Sequence, residues 1–416
     1  METAKTHRSI WRLGHIFPHR TQPLRWQLGT VIPSLLATVA LVGILVRFMP
    51  IDPFTFRAWE ALTRDRPPGM AFAPNHRYYN ARASGDLAAF GNLPSLRQYR
   101  PEQFTTDAFG FRNPPSLLTE EVSAILAGDS FAVGSGISDD ETLSSQLRAL
   151  TGCIVYNAGS EVGHIMPDDI VNVAHRLKMR GRLVIRIVAE LAPPAANPSP
   201  LASRVRALEA RMPAGIRGLA GRLKGLIDVS PLQIVSTRAW KALEDDRILP
   251  NKYAARVVKA TLANGDVMLF QAREDRADHQ RGISLDYWRW LRDDLQRAQL
   301  DLLVVLAPSK YRVYRPFVVD PRPVRREPDD SWVQFAADLR AAGVSVLDLT
   351  PFLSVEVARS LEHGEYLYWL DDVHWNAHGV AVAAAVIQDR WRVPASSCGL
   401  PALRQGGSLR GPGPQQ

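Results

Sequence analysis

The stretch AILAGDSFAVGSG, residues 124–136, places a serine hydroxyl directly after a short apolar run. A serine at the end of a buried strand becomes a nucleophile when a histidine accepts its proton and a carboxylate orients that histidine. Gly128 permits a tight turn, and a helix beginning near Ser130 would set its backbone N–H where negative charge is favoured. Taken alone, Gly-Asp-Ser more often marks an ordinary helix cap, with Asp129 holding the turn.

A second stretch, YWLDDVHWNAHGVAVAAAV at residues 368–386, offers the base that such a serine needs. His374 stands just before a strongly helical run, and Asp371 and Asp372 precede it by three and two positions. A carboxylate this close in a turn can reach Nδ1 and leave Nε2 free to take the serine proton. Both acids are candidates for that role.

Strand-like and helix-like patterns alternate through the rest of the chain, which predicts the elements that position these residues. Candidate strands are 122–127, 153–157, 183–189, 301–306 and 344–348, and candidate helices are 141–150, 167–180, 285–299, 330–342 and 376–391. Near-continuous apolar strands alternating with helices indicate an α/β fold with a doubly wound parallel sheet. Ligands bind outside the carboxyl ends of such strands, where Ser130 is expected.

The remaining segments predict a domain of residues 104–392 with additions. Residues 50–103 are rich in Pro, Arg and Tyr and are expected to form a loosely packed juxtamembrane spacer. Residues 191–283 are expected to be a helical insertion. Its basic face is either solvated, or covers the active site as a cap, or contacts an anionic surface. Residues 393–416, rich in Ser, Gly, Pro and Gln, predict a disordered tail.

The N-terminus predicts a membrane anchor. Residues 1–28 are read as a basic leader, and residues 29–49 hold Arg47 as their one charged residue and have about the length that a spanning helix needs. Basic residues before the span place the leader in the cytoplasm, so we expect a single-pass protein of the bacterial inner membrane with a periplasmic or extracytoplasmic domain. A cleaved signal peptide and a buried core helix are the alternatives.

Composition limits the classes of function. The chain has 416 residues, 46% hydrophobic composition and a net charge of +8, enough for a large core and a patchy basic surface. Basic patches suit nucleic acid, membrane headgroups or an acidic substrate, but without zinc-finger spacing or an RNA-binding aromatic motif we expect no nucleic acid. Its two cysteines predict neither a disulfide framework nor a metal site, and Cys153 is expected in the core.

Four stretches together resemble the SGNH, or GDSL, hydrolases. AGDSF (127–131) is similar to the first block, VYNAGSEVG (155–163) to the second and DDVHWNAHG (371–379) to the last, and TDAFGFRNP (106–114) resembles a sequence found ahead of the first block in membrane-linked members. The resemblance covers about residues 104–392 without most of the insertion. It implies a flavodoxin-like three-layer fold, Ser130 as nucleophile, His374 as base and then acid, and an oxyanion hole from the backbone N–H groups of Ser130 and Gly159.

The resemblance leaves the orienting acid open and contains one departure. Family blocks have the acid three positions before the histidine, which selects Asp371, whereas the His-Trp dipeptide resembles the alginate O-acetyltransferase-like branch, whose acid stands two positions before and selects Asp372. Of the two we favour Asp371. The family's third oxyanion donor, an asparagine, is missing from IVAELAPP (187–194), and Asn157 or Asn197 are the substitutes considered. Losing one such donor typically costs about 10²–10³ in rate.

The function this implies is serine-dependent transfer or hydrolysis of O-acyl groups, in the first place O-acetyl, on a cell-envelope or exported polysaccharide. The resemblance implies no cofactor or metal, a carbohydrate or glycan acceptor, and a membrane-bound protein as acyl donor. A membrane-anchored lipase or thioesterase is the first alternative. A non-catalytic carbohydrate-binding scaffold that keeps the fold is the second, which the missing asparagine favours and the intact Ser130 and His374 oppose.

Overall fold

A computed structural model describes residues 24–47, 52–63, 66–67, 69–160, 167–190, 231–272, 285–319 and 330–391. It divides into two compact units, residues 1–49 and residues 50–416. The predicted disordered tail lies outside the described residues, as do most of the basic leader and residues 191–230 of the predicted insertion.

Strands are numbered in chain order. They are β1 (Arg77–Ala83), β2 (Arg100–Thr105), β3 (Glu121–Ala127), β4 (Val155–Asn157), β5 (Lys178–Ala189), β6 (Val257–Thr261), β7 (Val267–Gln271), β8 (Asp301–Ala307) and β9 (Ser345–Asp348). Helices α1 to α6 are Leu24–Arg47, Ala58–Leu62, Asp86–Phe90, Ser130–Val133, Leu143–Thr151 and Pro167–Arg176. Helices α7 to α12 are Pro231–Leu243, Leu285–Arg297, Lys310–Tyr314, Ser331–Ala341, Thr350–Leu361 and Ala377–Trp391.

A five-stranded parallel sheet forms the centre of the second unit, in the order β4-β3-β5-β8-β9. Counted along the chain, these strands run 2-1-3-4-5, the flavodoxin-type order of a doubly wound sheet. The α/β fold with a parallel sheet is therefore confirmed, and each predicted strand forms within a few residues of its expected bounds. β3 lies where the winding reverses, so its carboxyl end opens on the crevice where such folds bind ligands.

Each face of the sheet carries its own core, because alternate side chains of a strand point to opposite sides. Leu126 and Ile187 face one core, with α5, α11 and α12 packed over them. Val122 and Val188 face the other, beneath α6, α8 and α10. The result is three layers, with helices on both sides of nearly uninterrupted apolar strands.

Residues 50–103 differ from the loosely packed spacer that their composition predicts. β1 and β2 pair as an antiparallel hairpin, and Leu62, Tyr78 and Phe104 are buried in a core of their own that also contains Val133 of α4. The charged and proline-rich composition conceals this packing because the buried arginines, Arg57 among them, have carboxylate partners inside the protein.

The described part of the insertion, residues 231–272, is also not purely helical. Helix α7 is followed by the antiparallel hairpin β6–β7, whose Ala260 and Met268 join the core on the α12 side of the sheet. The turn contains Asn264-Gly265, with Gly265 at a φ of +90°. An Asn-Gly pair between apolar runs is a strong hairpin signal, and it is the feature of the sequence from which these two strands can be predicted.

In the first unit, α1 is 24 residues long and begins before the predicted span at residues 29–49. Among the described residues no helix combines the length and the apolar character that crossing a bilayer requires. The predicted transmembrane helix is thus not shown.

Candidate active site

Ser130 is the first residue of α4, directly beyond the carboxyl end of β3. Gly128 makes the turn possible, because a Cβ there would lie 2.6 Å from the Cβ of Ala132 and 3.0 Å from the carbonyl oxygen of Ile187. Asp129 caps α4 by accepting from the Phe131 N–H at 3.0 Å, as its predicted structural role requires. In the described part of the chain, no hydrogen bond occupies the backbone N–H of Ser130.

His374 lies in the loop between α11 and α12, where Tyr368 and Trp375 form an isolated antiparallel bridge. The His374 ring packs against the ring of Phe131, with centroids 4.9 Å apart. Asn376 begins α12 by accepting from the Gly379 N–H at 3.0 Å. The histidine is therefore held on a short, braced loop, and it is 3% exposed.

The structure brings Ser130, His374 and Asp372 into one hydrogen-bonded line. His374 Nε2 lies 2.7 Å from Ser130 Oγ, and His374 Nδ1 lies 2.6 Å from Asp372 Oδ1. Burial alone would lower the pKa of His374, but Asp372 raises it above the usual 6.5. Burial likewise would raise the pKa of Asp372, but Arg57, His374 and Arg100 hold it well below its usual value. The line has the geometry of a nucleophile, a base and an orienting carboxylate.

Asp371, the acid favoured by the family spacing, does not contact His374. Its carboxylate accepts from the backbone N–H groups of Gly85 and Gln98 at 2.7 Å and 2.9 Å and pairs with Arg100 Nη1 at 2.9 Å. The preference for Asp371 over Asp372 is thus opposite to the observed geometry. The tight turn directs successive side chains to different neighbours, and only Asp372 points at the imidazole.

Three charged residues around the site were missed by sequence reasoning, all in residues 50–103. Arg57 Nη2 donates to Asp372 Oδ2 at 2.8 Å, and Arg100 Nη2 approaches the same oxygen at 3.2 Å. Asp86, the first residue of α3, donates its backbone N–H to Asp372 Oδ2 at 3.2 Å. Its own carboxylate accepts from the Val373 N–H at 3.0 Å. No motif marks these positions, because they lie more than 270 residues from the loop they contact.

The unpaired backbone N–H groups at the start of helix α3 donate hydrogen bonds to Asp371 and Asp372. The N–H of Gly85 and that of Asp86 bind the two carboxylates, and the Ala88 N–H binds the carbonyl oxygen of Asp371 at 3.2 Å. The first turn of a helix has no internal acceptors for these groups and favours negative charge. Gly85 is required for this approach, since a Cβ there would lie 2.1 Å from the Asp371 carbonyl oxygen.

Asp86, Asp372 and His374 offer donor atoms within 4.8 Å of one another, a spacing that could suit a cation. The guanidinium of Arg57 already lies there, 3.3 Å from Asp86 Oδ2 and 2.8 Å from Asp372 Oδ2. Burial and the negative charge of Asp372 raise the pKa of Asp86 to about 6, despite the opposing effect of Arg57. The group is therefore an ion-paired cluster built around an arginine.

Lys310 anchors the loop that carries the acid and the base. Its ammonium is fully buried and donates to the carbonyl oxygens of Trp369, Leu370 and Asp372 at 2.7 Å, 3.0 Å and 2.9 Å. A lysine has three donors and no acceptor, so three carbonyls converging on it satisfy its hydrogen-bonding capacity. This explains why a charged residue at the end of β8 lies in the interior.

The second stretch that resembles the SGNH hydrolases, of which residues 155–160 are described, packs against α4. The backbone of Gly159 approaches Val133 so closely that a Cβ would lie 2.7 Å from the Val133 nitrogen. The Gly159 N–H donates to Asn157 Oδ1 at 2.8 Å, so its use as an oxyanion donor requires exchange of that bond and stays a prediction. Asn157 donates its amide to the Ala132 carbonyl at 2.9 Å and is a brace, while Asn197 lies outside the described residues.

The stretch TDAFGFRNP, residues 106–114, forms hydrogen bonds with the end of β4. Asn113 pairs with the backbone of Asn157 through two hydrogen bonds of 2.9 Å. Asp107 in turn binds the Asn113 amide at 3.0 Å and the Tyr156 hydroxyl at 2.7 Å. This stretch thus fixes the end of β4 against the helix that begins with the serine.

At the end of β5, where the family's asparagine is missing, the structure places a salt bridge. Glu190 accepts from Arg312 at 2.5 Å and from the Ser309 N–H, at the start of α9, at 2.8 Å. Both side chains are about one-tenth exposed. An ion pair therefore occupies this rim of the sheet, and it joins the carboxyl ends of β5 and β8.

Parts of the chain resemble known proteins. Residues 266–399 match a protein-family model described as the SGNH hydrolase-like domain of the acetyltransferase AlgX. The chain is also 29% identical over 163 residues to a protein named "Probable alginate O-acetylase AlgJ" from Pseudomonas putida. That alignment covers 38% of this chain and 39% of the relative. The resemblance to an SGNH-like family related to alginate O-acetyltransferases is confirmed.

The family match covers one half of the site. Asp372 and His374 lie within residues 266–399, whereas Ser130 and Gly159 precede the match by more than 100 residues. The fold supplies the connection, because β3 and β8 both border β5 and end at the same rim of the sheet. A match to an SGNH-like acetyltransferase domain indicates an enzyme, and the serine is placed beside its histidine by the structure.

Proposed function

We propose that this protein is a serine-dependent O-acyltransferase, with acetyl as the group transferred, acting on a polysaccharide. The observation that carries the proposal is the 2.7 Å contact between Ser130 Oγ and His374 Nε2, with Asp372 on the opposite nitrogen. The similarity to acetyltransferase domains supports acetyl as the group, and the relative named for alginate supports a polymer as acceptor.

In the first half-reaction, Ser130 Oγ attacks the acyl carbonyl while His374 Nε2 takes its proton. The carbonyl π pair moves onto oxygen, and the backbone N–H of Ser130 is positioned to donate to that oxyanion. Asp372, which remains ionised, stabilises the imidazolium. When the tetrahedral intermediate collapses, the bond to the donor's leaving oxygen breaks and His374 returns the proton to it.

In the second half-reaction, an acceptor hydroxyl attacks the acyl-serine and loses its proton to His374. Collapse breaks the bond to Ser130 Oγ, and the same proton restores the serine hydroxyl. A sugar hydroxyl as acceptor gives an O-acetylated glycan, and water gives acetate.

The full chain tests this proposal with a chromogenic acetyl ester as donor and an oligosaccharide as added acceptor. Wild-type protein should release the chromophore, and Ser130→Ala should lower kcat by about 10³-fold or more. Acetylated oligosaccharide detected by mass spectrometry establishes transfer, and acetate alone indicates an esterase. Equal rates for wild type and Ser130→Ala would refute the serine mechanism.

A cationic aromatic surface on the insertion supports an acidic polysaccharide as acceptor. Lys241, Lys252 and Arg256 place their cationic groups 5.1 Å, 5.2 Å and 5.0 Å from the ring of Tyr253, and neighbouring Trp240 is 51% exposed. Burial, Arg238 and Arg256 lower the pKa of Lys241 to about 8, and Lys252 is also paired with Glu244 at 2.7 Å. Aromatic faces beside cations suit sugar rings that carry carboxylates.

Neutral variants separate this binding role from the chemistry. Arg256→Gln and Lys252→Gln together should raise KM for an acidic oligosaccharide several-fold and leave kcat on the small ester unchanged. Arg289→Gln, which replaces an exposed arginine on α8 that pairs with Asp286, is the matched control. If an uncharged oligosaccharide shows the same change in KM, the surface does not select acidic chains.

We further propose that the domain, residues 104–392 in the sequence-based division, acts outside the cytoplasm with a membrane-bound protein as acyl donor. Cys153 is buried in the core as expected, but it is disulfide-bonded although the two cysteines predicted no disulfide framework, and disulfides persist in oxidising compartments. Alkylation of cell extracts under denaturing, non-reducing conditions tests export. Full labelling of Cys153 before any reductant is added would contradict it.

A further inference from the structure

Around the triad, five buried charged side chains form a single cluster in which the charges do not cancel. The three carboxylates of Asp86, Asp371 and Asp372 face the two guanidinium groups of Arg57 and Arg100, and all five side chains are at most 7% exposed. With every group ionised, the cluster holds one more negative than positive charge. A buried net charge of this kind is costly unless a further charge compensates it.

The contacts are divided between the two oxygens of Asp372. Oδ1 accepts from His374 Nδ1 at 2.6 Å and from the His374 N–H at 3.1 Å. Oδ2 accepts from Arg57 at 2.8 Å, from Arg100 at 3.2 Å and from the Asp86 N–H at 3.2 Å. Donors on the far oxygen fix the carboxylate plane and leave Oδ1 directed at the imidazole.

We propose that Arg57, Asp86 and Arg100 are positioning residues, a charge clamp that orients Asp372 and leaves one negative charge for the His374 imidazolium to neutralise. This inference rests on the proposed serine mechanism. The proton that leaves Ser130 brings a positive charge to His374, and the cluster then becomes neutral. The segment ahead of the sheet is thereby part of the reaction machinery.

The clamp contains two opposing influences on His374. Asp86 Oδ2 lies 4.0 Å from Nδ1 and raises the pKa of the imidazole, after burial and Asp372 have had their larger effects. Arg57 acts in the opposite sense and lowers it. Three further carboxylates bear on the cluster from neighbouring elements, and each has an arginine of its own: Asp129 with Arg186, Glu102 with Arg112, and Glu60 with Arg238. These three pairs leave the net charge of the region unchanged.

The decisive test is the pKa of His374 itself, measured in the full chain by NMR with histidine labelled at Cε1 and assigned from the His374→Gln spectrum. Asp86→Asn removes a negative charge without changing shape and should lower this pKa by about one pH unit. Arg57→Met should raise it by a similar amount, and Arg57→Lys should return it close to wild type. Arg77→Met, an exposed arginine on β1, should leave it unchanged.

If these residues had a purely structural role, Asp86→Asn and Arg57→Met would not shift the His374 pKa in opposite directions. An unchanged His374 pKa in both variants, or shifts of the same sign, would therefore refute the charge clamp. If Arg57→Met does not fold, Asp86→Asn decides alone, since an unchanged or raised His374 pKa in that isosteric variant is sufficient to overturn it. This readout needs no turnover and does not depend on the substrate.

Kinetics on the chromogenic acetyl ester separate failure of the clamp from failure of the proposed function. Asp86→Asn should lower kcat about tenfold with KM unchanged, the equivalent of one pH unit of lost imidazolium stabilisation. If activity is lost in Ser130→Ala but Asp86→Asn keeps the wild-type kcat, the charge clamp is refuted and the serine mechanism is retained. Activity that persists in Ser130→Ala removes the mechanism, and the NMR result then stands by itself.

Discussion

The carboxylates of Asp371 and Asp372 are adjacent in the chain and bind different groups. Asp372 binds the imidazole on one oxygen and two arginines on the other, whereas Asp371 binds Arg100 and two backbone N–H groups. The sequence identifies Ser130 and His374 by residue type and by position after a strand and before a helix. It cannot choose between two neighbouring acids, because the choice depends on the direction of one turn.

Single substitutions of the two acids should therefore differ in their effect on catalysis. Asp372→Asn should lower kcat by about 10³–10⁴-fold, since the amide cannot hold the imidazole in the required tautomer. Asp371→Asn keeps an acceptor for the backbone N–H groups and should lower kcat by less than about tenfold. Initial rates on the acetyl ester, with thermal unfolding as the control for folding, would contradict the assignment if the two effects were reversed.

The same geometry predicts the pH dependence of the reaction. His374 acts as a base only when neutral, and Asp372 raises its pKa above 6.5. As the pH falls through that raised pKa the imidazole becomes protonated, so kcat/KM should fall on the acid side with an apparent pKa above 6.5. A kcat/KM that stays constant down to about pH 5 would show that this histidine is not the base.

Among the elements, the loop carrying Asp372 and His374 depends on distant parts of the chain for its shape. Lys310, next to the end of β8, holds three of its carbonyl oxygens, and α3 directs its first N–H groups at the acidic pair. The loop has little regular structure, so these contacts determine its conformation. A buried ammonium and a helix N-terminus act here as scaffolding for a catalytic turn.

Replacing Lys310 tests that scaffolding. Lys310→Met keeps the length of the side chain but removes a donor from three buried carbonyls, of which those of Leu370 and Trp369 keep a backbone N–H, and this loss should lower the free energy of unfolding by about 3 kcal/mol. The catalytic loop should loosen, so kcat on the acetyl ester should fall as well. Lys259→Met on β6, where the lysine is exposed, is the control, and equal urea midpoints for the two variants would contradict this role.

At this scale the sequence predicts some elements well and others poorly. The strands of the parallel sheet are continuous apolar runs, so periodicity and length identify them without tertiary information. Strands β1 and β2 contain charged and polar residues and are separated by a segment that includes α3, and β6–β7 is marked by its Asn264-Gly265 turn within an otherwise helix-like segment. Arg57 and Arg100 look like solvated surface residues until the carboxylates they bind are brought beside them by the fold.

For the whole molecule, the boundary that matters is that between residues 1–49 and the rest. Residues 50–416 form one compact unit, and the hairpin of residues 77–105 contributes to a buried core shared with α4. The sequence-based division at residue 104 cuts through this unit, because composition reports average polarity and not the pairing of buried charges. Residues 50–103 and the sheet therefore belong to one compact unit.

Two truncations test this unity. A chain that begins at residue 50 retains Arg57, the hairpin and their shared core, so its melting temperature should stay within about 2 °C of the full chain, with the same kcat on the acetyl ester. A chain that begins at residue 104 loses both arginines of the cluster and exposes Val133 of α4. It should unfold without a cooperative transition and show no esterase activity. If the shorter chain melts cooperatively and keeps its activity, residues 50–103 are a dispensable spacer, and the triad does not need the arginines that contact Asp372.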